Sequence, residues 1–162
     1  MRTRRAELDG AGRRFAVVVS RFNEFFTRHL LEACAEELRA HGVLDDDVTA
    51  VWVPGAFEIP LAARRCVEAG DIDAVIALGC IIRGETSHYD HVAAECAKGI
   101  AEAGRIGSIP VIFGVVTAET VEQAVERCGS KAGNKGADAA RAALEMANLM
   151  RRFDGGTPAE SA

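Results

Sequence analysis

Between Gly79 and Val92 the chain reads Gly-Cys-Ile-Ile-Arg-Gly-Glu-Thr-Ser-His-Tyr-Asp-His-Val. This stretch combines glycines that let a ligand approach the backbone, a carboxylate and hydroxyl at Glu85 and Thr86, and an imidazole at His88. An imidazole titrates near neutral pH and can give and take protons in successive steps, so His88 is the best candidate for proton transfer. The apolar run Ala74 to Leu78 precedes these groups and an Ala-rich segment follows them. They therefore fall on a strand-to-helix turn, where the ends of parallel strands and the first N–H groups of a helix form a crevice suited to an anion. Gly84-Glu85-Thr86 suits phosphate there, although simple helix capping accounts for the same residue types. Two other segments carry matching chemistry. In Ser20-Arg21-Phe22-Asn23-Glu24, an aromatic directly after a strand offers a face for a flat heterocycle. In Val53-Pro54-Gly55-Ala56-Phe57-Glu58-Ile59-Pro60, Gly55 permits close approach and Glu58 offers a carboxylate to ligand hydroxyl or N–H groups. Phe22 alone would more often be a core or interface residue; the convergence of three segments carries the inference.

Other constellations point less well to chemistry. His88, Asp90, His91 and Glu95 include a pair at four-residue spacing, His91 and Glu95, that shares a helix face, but the two-histidine metalloprotease pattern is absent, so no metal is assigned. Gly129-Ser130-Lys131-Ala132-Gly133-Asn134-Lys135-Gly136 lacks the order of a nucleotide-binding loop and follows a helix, which makes it a helix–helix connector with glycine turns. His29 and His41 lie in the first expected helix without a polar cluster and are assigned structural places. Arg83 is expected to be an ion-pair partner with no catalytic role.

These groups need a scaffold of alternating strands and helices. Phe15 to Ser20 is a continuous, β-branched buried strand; Glu24 to His41 follows as a helix, with apolar residues at helical spacing and Gly42 as its stop. The pattern predicts a second strand over 48–53 and a helix over 58–69 with Pro60 in its first turn. A third strand is expected over 74–82, a helix over 88–103, and a fourth strand over 109–116. Two helices close the chain, over 119–127 with Thr117 as N-cap and over 137–152. This alternation predicts a flavodoxin-like, three-layer α/β/α sandwich with a mainly four-stranded parallel sheet. Residues 1–14 are expected to form an N-terminal arm, 15–153 the domain, and 154–162 a disordered tail. With the strands ending at Phe22-Asn23, Pro54 to Glu58, Gly79 to Ile82 and Phe113-Gly114, one sheet edge should gather all the candidate groups.

A 162-residue chain buries one substantial core without staples. Its net charge of −5 disfavours a nucleic-acid surface. Five cysteines, odd in number and without C-x-x-C, suggest neither a disulfide framework nor zinc, and point to a reducing, cytoplasmic compartment. Glu7-Leu8-Asp9-Gly10 interrupts what would have to be the apolar core of a signal peptide, and the apolar runs are strand-sized, so neither secretion nor a membrane span is expected.

The three motifs, together with Phe113-Gly114-Val115-Val116-Thr117, Glu126-Arg127 and Lys131 to Gly136, closely resemble lumazine synthase, and the similarity runs from Phe15 to Leu149. The resemblance implies condensation of 5-amino-6-(D-ribitylamino)uracil with 3,4-dihydroxy-2-butanone 4-phosphate to 6,7-dimethyl-8-ribityllumazine, phosphate and water, the penultimate step of riboflavin biosynthesis. It implies that Phe22 stacks on the pyrimidine and that Ala56, Phe57, Glu58, Cys80, Ile81 and Ile82 line the ring and ribityl pocket, which Phe113 completes. Glu85 and Thr86 would bind the phosphate-bearing substrate, Arg127 would hold its phosphate, Lys135 would assist, and His88 would transfer protons. No cofactor or metal is implied. The resemblance further implies pentamers, a 60-subunit shell, sites shared between neighbours, and riboflavin synthase as an associated partner. Two rival expectations are an archaeal-type riboflavin synthase, which would consume the lumazine, and a noncatalytic lumazine- or flavin-binding shell protein.

Overall fold

Strand β1 (Phe15–Ser20) runs Phe-Ala-Val-Val-Val before it ends at Ser20, and every position is buried. Such a strand must lie inside a sheet covered on both faces. β1 pairs in parallel with β2 (Val48–Val53) on one side and β3 (Ala74–Ile82) on the other, and β3 pairs in parallel with β4 (Val111–Ala118). The sheet order is therefore β2-β1-β3-β4. The computed structural model describes residues 1, 3–130, 133–153 and 155.

Four long helices and one short one cover the sheet: α1 (Glu24–Ala40), α2 (Ile59–Ala69), α3 (His88–Ile106), α4 (Val121–Arg127) and α5 (Lys135–Phe153). Phe26, Leu30, Cys34 and Leu38 of α1 join Ala139, Ala143 and Leu144 of α5 against one face. Ile59, Ala63 and Val67 of α2 join Cys96 and Ile100 of α3 against the other. The three-layer α/β/α sandwich is the expected fold. Small residues allow the layers to close: a Cβ at Gly136 would lie 1.9 Å from the Leu30 carbonyl oxygen, so only glycine lets α5 start against α1. The cysteines are free, and burial pushes the Cys34 thiol up to about 12 and Cys96 up to about 11, which makes them packing residues. Among the described residues, no helix is long and apolar enough to cross a membrane.

Several boundaries differ from expectation. β4 begins at Val111 and runs to Ala118, because Pro110 brings no N–H to the ladder while Thr117 and Ala118 pair with Ile81 and Ile82. Thr117 is consequently in the sheet, and Thr120 caps α4 instead, its hydroxyl accepting from the Gln123 N–H at 3.3 Å. α3 passes Ala103 and runs to Ile106, where the extended backbone of Gly107 ends it. α5 starts at Lys135, where the Asn134 side chain accepts from the Gly136 N–H at 2.7 Å. The expected connector contains a small antiparallel pair, β5 (Cys128–Ser130) and β6 (Gly133–Asn134), with Gly129 and Gly133 at positive φ. Lys131 and Ala132 in that connector, and the expected tail except Gly155, lie outside the described residues. The N-terminal segment is fastened to the domain: Asn148 donates to the Glu7 and Asp9 carbonyls, and the Gly10 N–H donates to the His41 carbonyl.

Candidate functional site

The ends of β1, β2 and β3 open into a crevice of about 730 Å³. Its first wall is Phe22, which follows β1 and is 71% exposed. A large apolar ring left in water next to a crevice is available to stack on a ligand. Its backbone is held, because the Arg21 and Phe22 N–H groups donate to the Val53 and Pro54 carbonyls at 2.8 and 3.0 Å. Asn23 then takes the left-handed conformation, φ 60°, and its side chain donates to the Cys80 carbonyl at 2.9 Å. Asparagine tolerates that region better than most residues. The result is a sharp turn that ties the Phe22 loop to the end of β3, a role that sequence patterning left unassigned.

The second wall is the 3-10 turn Ala56–Glu58 ahead of α2. Ala56 is buried, whereas Phe57 is 59% exposed and Glu58 is also exposed, so the carboxylate is available at the crevice. The floor is Cys80, Ile81 and Ile82 at the end of β3. The neighbouring Cys128 thiol, together with burial, raises the Cys80 pKa above the ordinary thiol range. Protonated and buried, Cys80 is a wall and not a nucleophile.

The third wall is the loop and first turn leading into α3, which bring Gly84, Thr86 and His88 to the crevice. The Thr86 hydroxyl accepts from the His88 N–H at 3.4 Å, a local turn that starts the helix. His88 is exposed, with its imidazole open to solvent and ligand. Tyr89, His91 and Val92 also line this wall. The sequence pattern assigns Tyr89 and Val92 no role and weighs His91 only as a metal ligand; the three-residue spacing of His88 and His91 on one helix is the signal that places both rings on the same side. Glu85 lies in the exposed loop between lining residues Gly84 and Thr86.

Three expected residues stand apart. Since β4 does not end at Phe113-Gly114, Phe113 pairs with Ala77, five residues before Ile82 and roughly 16 Å back along the strand. Phe113 is 47% exposed and lines a second, smaller hollow of about 250 Å³ with Lys135 and Asp138. The Lys135 ammonium bonds Asp138 at 2.9 Å. Arg127 ends α4, and one of its guanidinium N–H groups donates to the Gln123 carbonyl at 3.0 Å. Phe113, Arg127 and Lys135 therefore do not line the first crevice within one chain.

His29 and His41 bond within α1 or to its end, at the Phe25 carbonyl and the Glu37 carboxylate respectively. Among the described residues, no group of three His, Cys, Asp or Glu side chains is placed to hold a metal ion. Arg83 is the ion-pair residue that its context predicted, bonded to Asp90 and Glu119. Residues 12–151 match the family model described as 6,7-dimethyl-8-ribityllumazine synthase.

Proposed function

Because this chain belongs to the 6,7-dimethyl-8-ribityllumazine synthase family, we propose that it condenses 5-amino-6-(D-ribitylamino)uracil with 3,4-dihydroxy-2-butanone 4-phosphate to 6,7-dimethyl-8-ribityllumazine, phosphate and water. The observation that carries this reading is one crevice walled by an exposed Phe22, an exposed Glu58 and an exposed His88 from three different strand ends. Phe22 stacks on the pyrimidine, while Glu58 and the segments Ala56–Phe57 and Cys80–Ile82 hold the ring and ribityl chain. Glu85 and Thr86 contact the phosphate-bearing ketone, Arg127 grips its phosphate, and Lys135 assists. The 5-amino nitrogen attacks the ketone carbon and water leaves, giving an imine; phosphate is then eliminated, and ring closure expels water. His88 carries protons between these steps. Holding two small substrates together accounts for most of the acceleration, and placed proton transfer for the rest. Incubating the purified protein with both substrates tests this. Appearance of the lumazine's absorbance and fluorescence supports the proposal, whereas consumption of added lumazine would assign riboflavin synthesis, and binding without turnover a noncatalytic shell.

In the same reading, Phe113, Arg127 and Lys135 reach the crevice from the neighbouring subunit of a pentamer. Their separation from Phe22, Glu58 and His88 in one chain supports this, because head-to-tail rings bring different patches of the same surface together. Exposed Phe22, Phe57, Leu61 and Phe113 fit an associating surface. Twelve such pentamers would form the 60-subunit shell, with riboflavin synthase as its associated partner in the cytoplasm. Light scattering that finds only isolated pentamers or decamers would reject the shell alone.

Two expected results follow from these assignments. Co-assembling equal amounts of chains inactivated at His88 and chains inactivated at Arg127 leaves about one junction in four intact under random pairing, so activity should return from two inactive parents. Mixed oligomers, verified by mass spectrometry, that stay inactive would place both residues in one subunit's site. Arg127→Lys should weaken the phosphate substrate roughly ten- to hundredfold, because the planar two-point grip on phosphate oxygens is lost while the charge remains. The uracil should bind almost normally in titrations. Equal losses for both substrates would mark Arg127 as structural.

A further inference from the structure

We propose that Arg83 is the positioning residue that aims His88 into the crevice, acting as a clamp between the sheet edge and the first turn of α3. The inference rests on the lumazine-forming reaction proposed above.

Arg83 follows the last residue of β3, and its N–H donates to the Ala118 carbonyl at 2.9 Å, continuing the β3–β4 ladder by one step. The base of its side chain is thus fixed to two strands. Its guanidinium then engages on both edges. Nη2 and Nη1 donate to the two oxygens of Asp90 at 2.8 and 3.1 Å, while Nε donates to Glu119 at 2.6 Å. The same guanidinium carbon lies 4.2 Å from the centre of the Tyr89 ring. Asp90 and Tyr89 are the two residues that follow His88, and Tyr89 itself lines the crevice.

Among the described residues, little else fixes that first turn from the side-chain direction. Ser87, at the N-cap position, makes no side-chain cap bond, and the Thr86–His88 contact is long at 3.4 Å. A single exposed ion pair would hold nothing reliably, but a two-point Arg–carboxylate pair, a second carboxylate and a stacked ring on one guanidinium restrain each other. The Arg83 guanidinium accordingly holds the Asp90 carboxyl below the usual carboxylate range. The clamp needs a planar fork: lysine can supply charge but cannot bond Asp90 at two points, reach Glu119 and stack on Tyr89 together.

The test uses Arg83→Gln, Arg83→Lys, Asp90→Asn and the Arg83→Gln/Asp90→Asn double variant of the assembled protein. A misaimed proton-transfer group should lower kcat about tenfold in each single variant, with KM for both substrates moving less than about twofold. The lysine variant should not be rescued, and the double variant should fall no further than the worse single, since both changes open one clamp. Hydrogen exchange of amides 84–92 should be faster in all four, with the global unfolding midpoint unchanged. Full turnover in the variants would overturn the proposal. So would additive losses with a raised KM for one substrate, which would make Arg83 a substrate contact. Should Arg83→Gln fail to fold, Asp90→Asn and Glu119→Gln open the same clamp and are judged by the same criteria. A wild-type protein that makes no lumazine would defeat the proposed function instead; the clamp is then decided by exchange, faster amides 84–92 supporting it and unchanged ones overturning it.

Discussion

Replacing His88 with alanine is expected to lower turnover by roughly 10² to 10⁴ while leaving the affinity for both substrates nearly intact. A general acid–base acts on protons in flight and contributes little to ground-state binding, so the loss should appear in kcat. Folding should survive. The side chain is exposed, and the bond that starts the turn uses the His88 backbone N–H and the Thr86 hydroxyl, both retained in the variant. Steady-state kinetics with each substrate varied in turn checks the result. Near-wild-type turnover at saturation would remove His88 from the proton-transfer role, and a proportionate rise in KM would make it a binding group.

The largest effect on stability is expected from Gly136→Ala. Two effects oppose one another. Alanine gains about 1 kcal/mol over glycine in a helix interior, and less in a first turn. Against it, the new Cβ would lie 1.9 Å from the Leu30 carbonyl oxygen, 2.7 Å from its carbon and 2.9 Å from the Leu30 Cα. These are backbone atoms inside α1, so no rotamer change relieves the overlap and one helix must move. Overpacking of that kind costs about 3 kcal/mol or more, which outweighs the propensity gain. A net loss of about 2 kcal/mol or more lowers the melting midpoint by roughly 4–8 °C for a domain of this size. Gly104→Ala is the matched control. Its Cβ would meet Val111 atoms at 3.6–3.9 Å, ordinary contact, and helix propensity should leave that variant as stable as the parent or slightly more so. Equal melting midpoints for Gly136→Ala and the parent would show that α5 is not pinned to α1 at this point.

Much of the architecture was legible because burial leaves a periodic trace. β1, buried at every position, appears as an unbroken apolar run, and α1 buries Phe26, Leu30, Cys34 and Leu38 at the spacing that marked it as a helix. Glycines at positive φ after α1 and α2, Gly42 and Gly70, punctuate the chain as a helix stop requires. Strand, helix and strand in alternation leave one topology class open, and that class puts the ends of β1, β2 and β3 on one edge. The clustering of Phe22, Ala56 to Glu58, Cys80 to Ile82, Thr86 and His88 around a single crevice follows from those local patterns.

What the sequence by itself determined, then, is which face each segment buries and where its chain must turn, since both depend on neighbours within a few residues. Tertiary structure decided everything that depends on a partner far along the chain. β4 extends to Ala118 because β3 offers Ile81 and Ile82 as pairing partners, and that register carries Phe113 away from the crevice. The hydrogen bond from Asn23 to Cys80 spans 57 positions, and the Arg83 bond to Glu119 spans 36, distances at which no periodicity survives. The approach of Gly136 to Leu30 is set by how two helices seat on the same sheet face. Period and turn chemistry are properties of one segment's own backbone; register, helix seating and side-chain clamps come into being only when two segments bury surface against each other.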